Sequence, residues 1–441
     1  MCSAARMSNN GPGGMLKEFG KAGLESAKET LSYYSKSGKD ERRLVGASFF
    51  MGVVAAIYWY IIILYLDALE FGSVEIGLIF GIGTVAGVAS LMLTGFLADK
   101  FGRKRLLLLG LMGDMIGLAL FLSEKNLIVF IVASVIANFG GSIIQPSLMA
   151  LLASKTSTSK VKVLYGLQGF SNQIGLTFAA LAGMYLPGQL AIDESNGYWF
   201  VIAAGAAFAI VPILLVLRTS DSKGGGSENT FRGILRGFDS RIRRILIMFS
   251  LQNALIGLGA GLLVPWFPLI FQDGMGASNT QLALMFALSN IAVAFGWFVV
   301  PKFAEFRGSV VLVTVCQLAS IGFMVAIPYS PYLAGAAILY MIRNVLMLIP
   351  IPVLNAYVIN IAPENIRASF FALSQVSWMV PFAIAESMSG FLWADDYSKV
   401  GPFFACAGLY ILATLIFYFY FRGIQEPSDM TTPLRQSVKV A

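Results

Sequence analysis

Three ionisable side chains stand inside long apolar stretches of this chain: Asp114, Arg343 and Glu386. A charge in hydrocarbon costs at least roughly 2.5–3.5 kcal/mol on insertion scales, so such a residue usually faces a cavity or a bundle interior. A carboxyl there can take up and release a proton. A guanidinium can hold an anion or neutralise an acid. Arg343 and Glu386 therefore have two readings. In one, Glu386 binds a proton and Arg343 is its switch partner or an anion anchor; in the other they are a permanent ion pair between two helices. Asp114 is either a proton carrier or a structural hydrogen-bond partner of Asn138. The amides Asn138, Gln168, Asn172, Gln173, Gln252, Asn253, Asn344 and Gln375 lie in similar runs. They either hydrogen-bond a polar solute or tie helices together.

Other chemistries lack their residues. There is no histidine, which removes the commonest metal ligand and the only side chain that titrates unperturbed near neutrality. Cys2, Cys316 and Cys406 are far apart and offer neither a disulfide framework nor zinc spacing. No phosphate loop or nucleophile elbow is present. Gly81-Ile-Gly83-Thr-Val-Ala-Gly87 faintly copies a dinucleotide loop, but no strand precedes it, and small-residue helix packing explains it better. The expectation is a protein that is not an enzyme and uses neither metal nor cofactor.

The elements that must position these residues follow from composition. Of 441 residues, 57% are hydrophobic and 12% charged, about half the charge of a soluble domain. A soluble chain of this length cannot hide that much apolar surface. Apolar runs occupy 45–66, 75–98, 104–123, 127–153, 163–187, 197–217, 243–271, 279–301, 308–328, 331–361, 368–394 and 400–421. Each is near or above the roughly 20 residues that cross a bilayer as a helix, and in lipid such runs are helices rather than strands. That predicts an all-α membrane protein of twelve transmembrane helices. Arg343 then lies about twelve residues from the outer end of its span, roughly 18 Å deep at helical rise.

The net charge of +7 reports orientation rather than nucleic-acid binding. On the side of the N-terminus the twelve-span parse places 28 Lys and Arg; the opposite side holds Lys125 and Lys399. Such a bias predicts cytoplasmic N- and C-termini. Residues 1–44 form a polar tail in which Leu16, Leu24, Ala27, Leu31 and Tyr34 recur at helical spacing, fitting either a short interfacial helix or a disordered tail. No secretory signal precedes the first span, so the tail is expected on the side of synthesis. The stretch Arg218 to Arg244 holds Gly224-Gly225-Gly226-Ser227 and seven basic residues; it reads as a cytoplasmic linker, 218–242, between bundles at 45–217 and 243–421. Residues 422–441 form a second tail.

The two bundles are related. A shift of 206 positions aligns Phe80 with Phe286, Ala86 with Ala292, Ala98 with Ala304, Gly102 with Gly308, Asn138 with Asn344 and Pro146 with Pro352. One inserted residue then pairs Gln168 with Gln375. Parallel duplication puts a pseudo-two-fold axis along the membrane normal and a ligand site where the six-helix bundles meet.

The connection after the second span reads Gly95-Phe-Leu-Ala-Asp99-Lys-Phe-Gly102-Arg103-Lys104-Arg105. It resembles the loop-2–3 motif of the major facilitator superfamily. A degraded copy, Pro301-Lys-Phe-Ala-Glu305-Phe-Arg307-Gly308, keeps the acid and the glycine. Pro352 and Ala362-Pro363-Glu364-x-x-Arg367 resemble the family's later connections. The resemblance implies a solute transporter that rocks its halves about a midplane site. It also implies a cytoplasmic latch: Asp99 against the helix starting near Arg367, and Glu305 against that starting near Lys160 and Lys162. An acid at one helix end attracts the positive N-terminus of another. Gly95, Gly102, Arg103, Lys104 and Gly308 complete this gate. The candidate solute and coupling residues, taken from the charges and amides inside the spans, are Arg343, Glu386, Asp114, Asn138, Asn344, Gln168 and Gln375. The family's third helix packs outside the cavity ring, which for Asp114 favours the structural reading as much as the proton one. The protein is expected in the cell membrane as a monomer.

Arg343 favours a polar or anionic metabolite moved with protons. The drug-antiporter branch of the family carries an arginine in its fourth span and a Gly-Pro pair in its fifth. Here those places read Ala137-Asn138-Phe139-Gly140 and Gly169-Phe-Ser-Asn172-Gln173. Export of drugs or amphiphiles, and a non-transporting sensor or lipid-handling protein, stand as the other two readings.

Overall fold

The computed structural model describes residue 34 and residues 37–156, 161–189, 193–220, 240–361 and 367–424. The described chain is helical throughout. The first run joins α1 (Lys39–Ala56) through a π turn at Ile57–Ile61 to α2 (Ile62–Ala68). Then come α3 (Ser73–Phe101), α4 (Arg103–Phe121), α5 (Leu127–Lys155), α6 (Val161–Tyr185), α7 (Glu194–Phe208) and α8 (Ile210–Leu217). After the linker, α9 (Ser240–Leu263) continues through a 3-10 turn, Val264–Trp266, into α10 (Phe267–Gln272). The remainder is α11 (Asn279–Arg307), α12 (Ser309–Ala326), α13 (Leu333–Leu348), α14 (Ile351–Ile361), α15 (Arg367–Trp393) and α16 (Gly401–Phe421).

Nine helical stretches among the described residues are long and apolar enough to cross a membrane. The runs expected at 104–123, 163–187 and 368–394 also form helices, α4, α6 and α15, but are more polar. Lys104, Arg105 and Asp114 lie in α4, and Pro381 and Glu386 in α15. The expected tail helix through Leu16, Leu24, Ala27 and Leu31 and most of the linker lie outside the described residues. The first helix begins at Lys39, ahead of the apolar run.

Local chemistry sets the boundaries. Gly102 and Gly308 adopt φ values of 85° and 82°, a region L side chains avoid. This lets α3 turn directly into α4, and α11 into α12, with one residue between them. Asn126 caps α5 by accepting from the Ile128 amide at 2.9 Å. Pro350 has no N–H to donate, and α13 stops just before it. The second half repeats these boundaries at the 206-residue offset. Ser73–Phe101 matches Asn279–Arg307, α5 begins and ends where α13 begins and α14 ends, and the starts of α6 and α15 coincide.

Packing differs between the two ends of the molecule. Away from the tails the apolar core is continuous across the halves. It joins Ile61, Tyr65, Phe130 and Tyr198 to Trp266, Phe267, Phe286, Tyr340, Trp393 and Tyr410. At the tail end it divides into two clusters. One holds Leu44, Leu107, Leu148, Leu164 and Val216; the other holds Ile245, Phe249, Tyr357, Phe417 and Phe421.

The two most extensive helix pairs between the halves are α3 with α15 and α6 with α11. The α3–α15 seam is backbone against backbone. A β-carbon on Gly81 would overlap Ser387, and one on Gly390 would overlap the Ser73 carbonyl oxygen. Gly390→Val is therefore expected to force this seam apart, at a cost of about 1–3 kcal/mol. A lowered melting temperature in detergent, with new labelling of a cysteine placed at Ser73, checks it. Unchanged melting and labelling would refute the seam.

Candidate functional site

Arg343 projects from α13 into the second half and is 2% exposed. Its guanidinium carbon stands 5.4 Å from the Phe267 ring centroid and the group reaches the Tyr410 hydroxyl. Nε and Nη2 have no hydrogen-bond partner. An aromatic face offsets part of the lost hydration of a cation, but two buried donors left open are costly. Glu386 is 5% exposed on α15. Its Oε2 accepts from Thr84 Oγ1 of α3 at 2.7 Å, tying the two halves together.

The structure does not bring Arg343 and Glu386 together. The ion pairs among the described residues join Asp40 to Arg43 and to Lys155. The reason is topological: α15 packs along α3 and α9, whereas α13 packs along α11 and α12. The contact expected between Asp114 and Asn138 is also not made. Asn138 Nδ2 donates back to the Ser134 carbonyl and hydroxyl of its own helix, at 3.0 and 3.3 Å. Asp114 is half-buried in α4 beside Gly141, and its backbone carbonyl accepts from the Tyr58 hydroxyl at 2.9 Å.

The remaining amides are scattered. Asn344 donates to Ser289 Oγ at 2.8 Å, joining α13 to α11. Gln168 is 2% exposed on α6 with Oε1 unpartnered. Gln375 is half-buried on α15. Between the halves, Asn290 of α11 accepts from the Tyr60 hydroxyl at 3.3 Å, while Gln173 of α6 donates to its carbonyl at 3.4 Å. The Asn290 Nδ2 has no partner.

At the tail end, part of the expected gate is visible. Arg103 Nη1 donates to the Ala150 carbonyl at 3.1 Å. Lys104 Nζ holds the Leu217 and Thr219 carbonyls at 3.0 and 2.6 Å, capping the C-terminus of α8. Asp40 accepts from the Ser220 amide and hydroxyl, and Lys155 donates to Ser220. Arg103 and Lys104 of the motif thus act within the first half. The side chains of Asp99, Glu305 and Arg367, and the surroundings of Gly95, lie outside the described residues.

The opposite end is closed by residues that sequence reasoning missed. The Ser73 amide donates to Asp395 Oδ1 at 2.6 Å, and the Asp395 amide donates to the Ser73 hydroxyl at 3.0 Å. Asn279 donates to Glu194 Oε1 at 3.0 Å and accepts from Tyr198. Asp273, next to α10, meets Asp67 at the end of α2 through a side-chain hydrogen bond. A hydrogen bond between two carboxyls requires one of them to hold a proton. Loop acids spaced this far apart carry no signal of pairing; only the fold collects them.

The sequence profile of the Major Facilitator Superfamily matches residues 44–386. The chain belongs to this superfamily. It is 24% identical over 320 residues to the uncharacterized MFS-type transporter YqjV of Bacillus subtilis, covering 70% of this chain and 75% of that one. It is 25% identical over 239 residues to an uncharacterized MFS-type transporter of Mycobacterium tuberculosis, covering 52% and 55%. Among solved structures, the nucleoside transporter NupG in mutant form superposes with a TM-score of 0.73 at 14% identity, covering 87% of this chain and all of that one, 100%. An auto-inhibited POT family peptide transporter gives 0.71 at 14%, covering 88% and 98%. This superfamily member is thus an integral, multi-pass membrane protein with the architecture of secondary transporters.

The closed end has a pH dependence with a definite sign. Burial first, and then the Glu194 charge, raise the Asp273 carboxyl above the ordinary carboxylate range, against the opposing hydrogen bond from Asp67. An acid raised in the folded state stabilises that state below its folded value, and the contribution is lost as pH rises through it. The melting temperature is expected to fall as pH rises above the ordinary carboxylate range, and to fall less in Asp273→Asn. Equal slopes in the two proteins would show that Asp273 does not contribute.

Proposed function

We propose that this superfamily member is a secondary transporter of a small polar or anionic solute, driven by protons through alternating access. The observation that carries the reading is Arg343, a mid-membrane guanidinium buried in a half that supplies it no carboxylate partner among the described residues. A buried charge without a counter-charge is unstable unless something completes it, and an anionic solute bound between the halves would do so. Glu386 is the proton site: its protonation would alter the contact with Thr84 that links the halves. Nucleoside and peptide transporters share the fold at 14% identity, so they do not choose the solute.

The wider frame is proposed with it. Twelve helices form two six-helix bundles, 45–217 and 243–421, in a monomer whose tails face the cytoplasm. The repeated boundaries and the paired glycines at 102 and 308 support that duplication. The divided core at the tail end supports a state open toward the tails. In the opposite state the gate residues Gly95, Asp99, Gly102, Arg103, Lys104, Glu305, Gly308 and Arg367 would close that end, while Asp114, Asn138, Asn344, Gln168 and Gln375 shape the interior.

A second reading, handling of an amphiphile, draws on a groove of about 310 Å³ between α4 and α5. It is lined by apolar residues including Phe101, Leu109, Ile136 and Phe139.

Proteoliposomes under an imposed pH gradient decide between them. A screen of organic anions and lipophilic cations is expected to find an anion accumulated uphill. Arg343→Met should abolish that uptake, and Glu386→Gln should leave exchange while removing accumulation. Uphill transport by Glu386→Gln would overturn the proton assignment, and cation uptake indifferent to Arg343→Met would favour the amphiphile.

A further inference from the structure

Tyr58, Trp59 and Tyr60 sit in the π turn that joins α1 to α2. A π turn inserts a residue and resets the direction in which the following side chains leave the helix; such turns are frequent at functional sites. Here the three rings diverge. Tyr58 points to α4, where its hydroxyl binds the Asp114 carbonyl. Tyr60 points to α11, with its ring centroid 4.8 Å from that of Phe286. Trp59 points to α15, where it meets Phe382 at 6.5 Å and an interplanar angle of 65°.

Trp59 is also the one exposed side chain between residues 43 and 69, at 46%. That exposure is not to lipid, because the run is enclosed. Phe49 packs on Phe178 of α6, Phe50 stacks on Phe208 of α7, and Tyr58, Trp59 and Tyr60 reach α4, α15 and α11. The free surface of the indole therefore looks into the space between the halves. Phe382 stacks with Trp378 on the same helix, centroids 4.8 Å apart at 21°, extending an aromatic wall beside Trp59. The Nδ2 of Asn290, buried at 2% exposure on the residue whose Oδ1 meets the Tyr60 hydroxyl, is a donor without a partner.

We infer that Trp59, backed by Phe382 and Trp378, is the stacking surface for a planar aromatic part of the transported solute. The inference rests on the transporter reading above and narrows its substrate class. A rigid indole already held by its helix loses little freedom on binding a ring, and aromatic pairs prefer centroid separations of about 4.5–7 Å. A saturated ring of similar size is neither flat nor quadrupolar and gains less.

Calorimetry on the full-length protein in detergent tests this with two matched probe pairs: benzoate against cyclohexanecarboxylate, and adenosine against ribose. The aromatic member of at least one pair is expected to bind about five- to tenfold more tightly. Trp59→Phe should keep most of that ratio and Trp59→Leu should bring it within about twofold. A ratio untouched in Trp59→Leu, or no ring preference in either pair, overturns the inference. Arg343→Met separates it from the parent reading. Loss of both carboxylates with the adenosine ratio intact supports the anion site, whereas carboxylate binding unchanged in Arg343→Met refutes that site and leaves the ring preference to be judged on Trp59.

Discussion

The structure depends on how closely α3 and α15 approach. Their backbones meet at Gly77, Gly81 and Gly390, with little between them but hydrogen bonds from Ser73 and Thr84. That contact joins the two halves of the core at the end away from the tails. It also brings Thr84 within reach of Glu386. A seam of small residues offers van der Waals contact without interlocking side chains. Two rigid bodies can part along such a surface without repacking either interior, the requirement for a hinge or rocking motion.

Arg343 and Glu386 occupy different environments, and the difference is informative. Glu386 belongs to the seam and senses the opposite half. Arg343 belongs to the interior of its own half, cushioned by Phe267 and close to Tyr410 and Cys406. The acid lies at the boundary between the halves, and the base lies inside its own half.

Much of the fold was legible because lipid forces apolar runs into helices and duplication repeats their boundaries. The paired glycines at 102 and 308 were marked by spacing, and both adopt the same left-handed geometry. Azimuth was not legible. Depth along a span placed Arg343 and Glu386 in mid-membrane, but which neighbour each side chain faces depends on helix rotation. Asn138 found a partner four residues away on its own helix, where one is always within reach, instead of Asp114. The π turn at Ile57–Ile61 hides from periodicity altogether, since it adds one residue to an unbroken apolar run. The acids of the closed end sit at helix ends or in connections far apart in the chain, and their proximity arises only from the completed topology.

The anchoring of residues 217–220 has a consequence for how the chain is made. Lys104, Lys155, Asp40 and Arg43 grip the backbone where α8 ends, all from the first half. Among the described residues, none from beyond the linker takes part in those contacts. The helices up to α8 can therefore reach their mature arrangement, with the last carbonyls already satisfied, while the ribosome is still translating the rest, in keeping with domains that fold as units during synthesis. The later crossings would then assemble against a finished template rather than compete with it for partners.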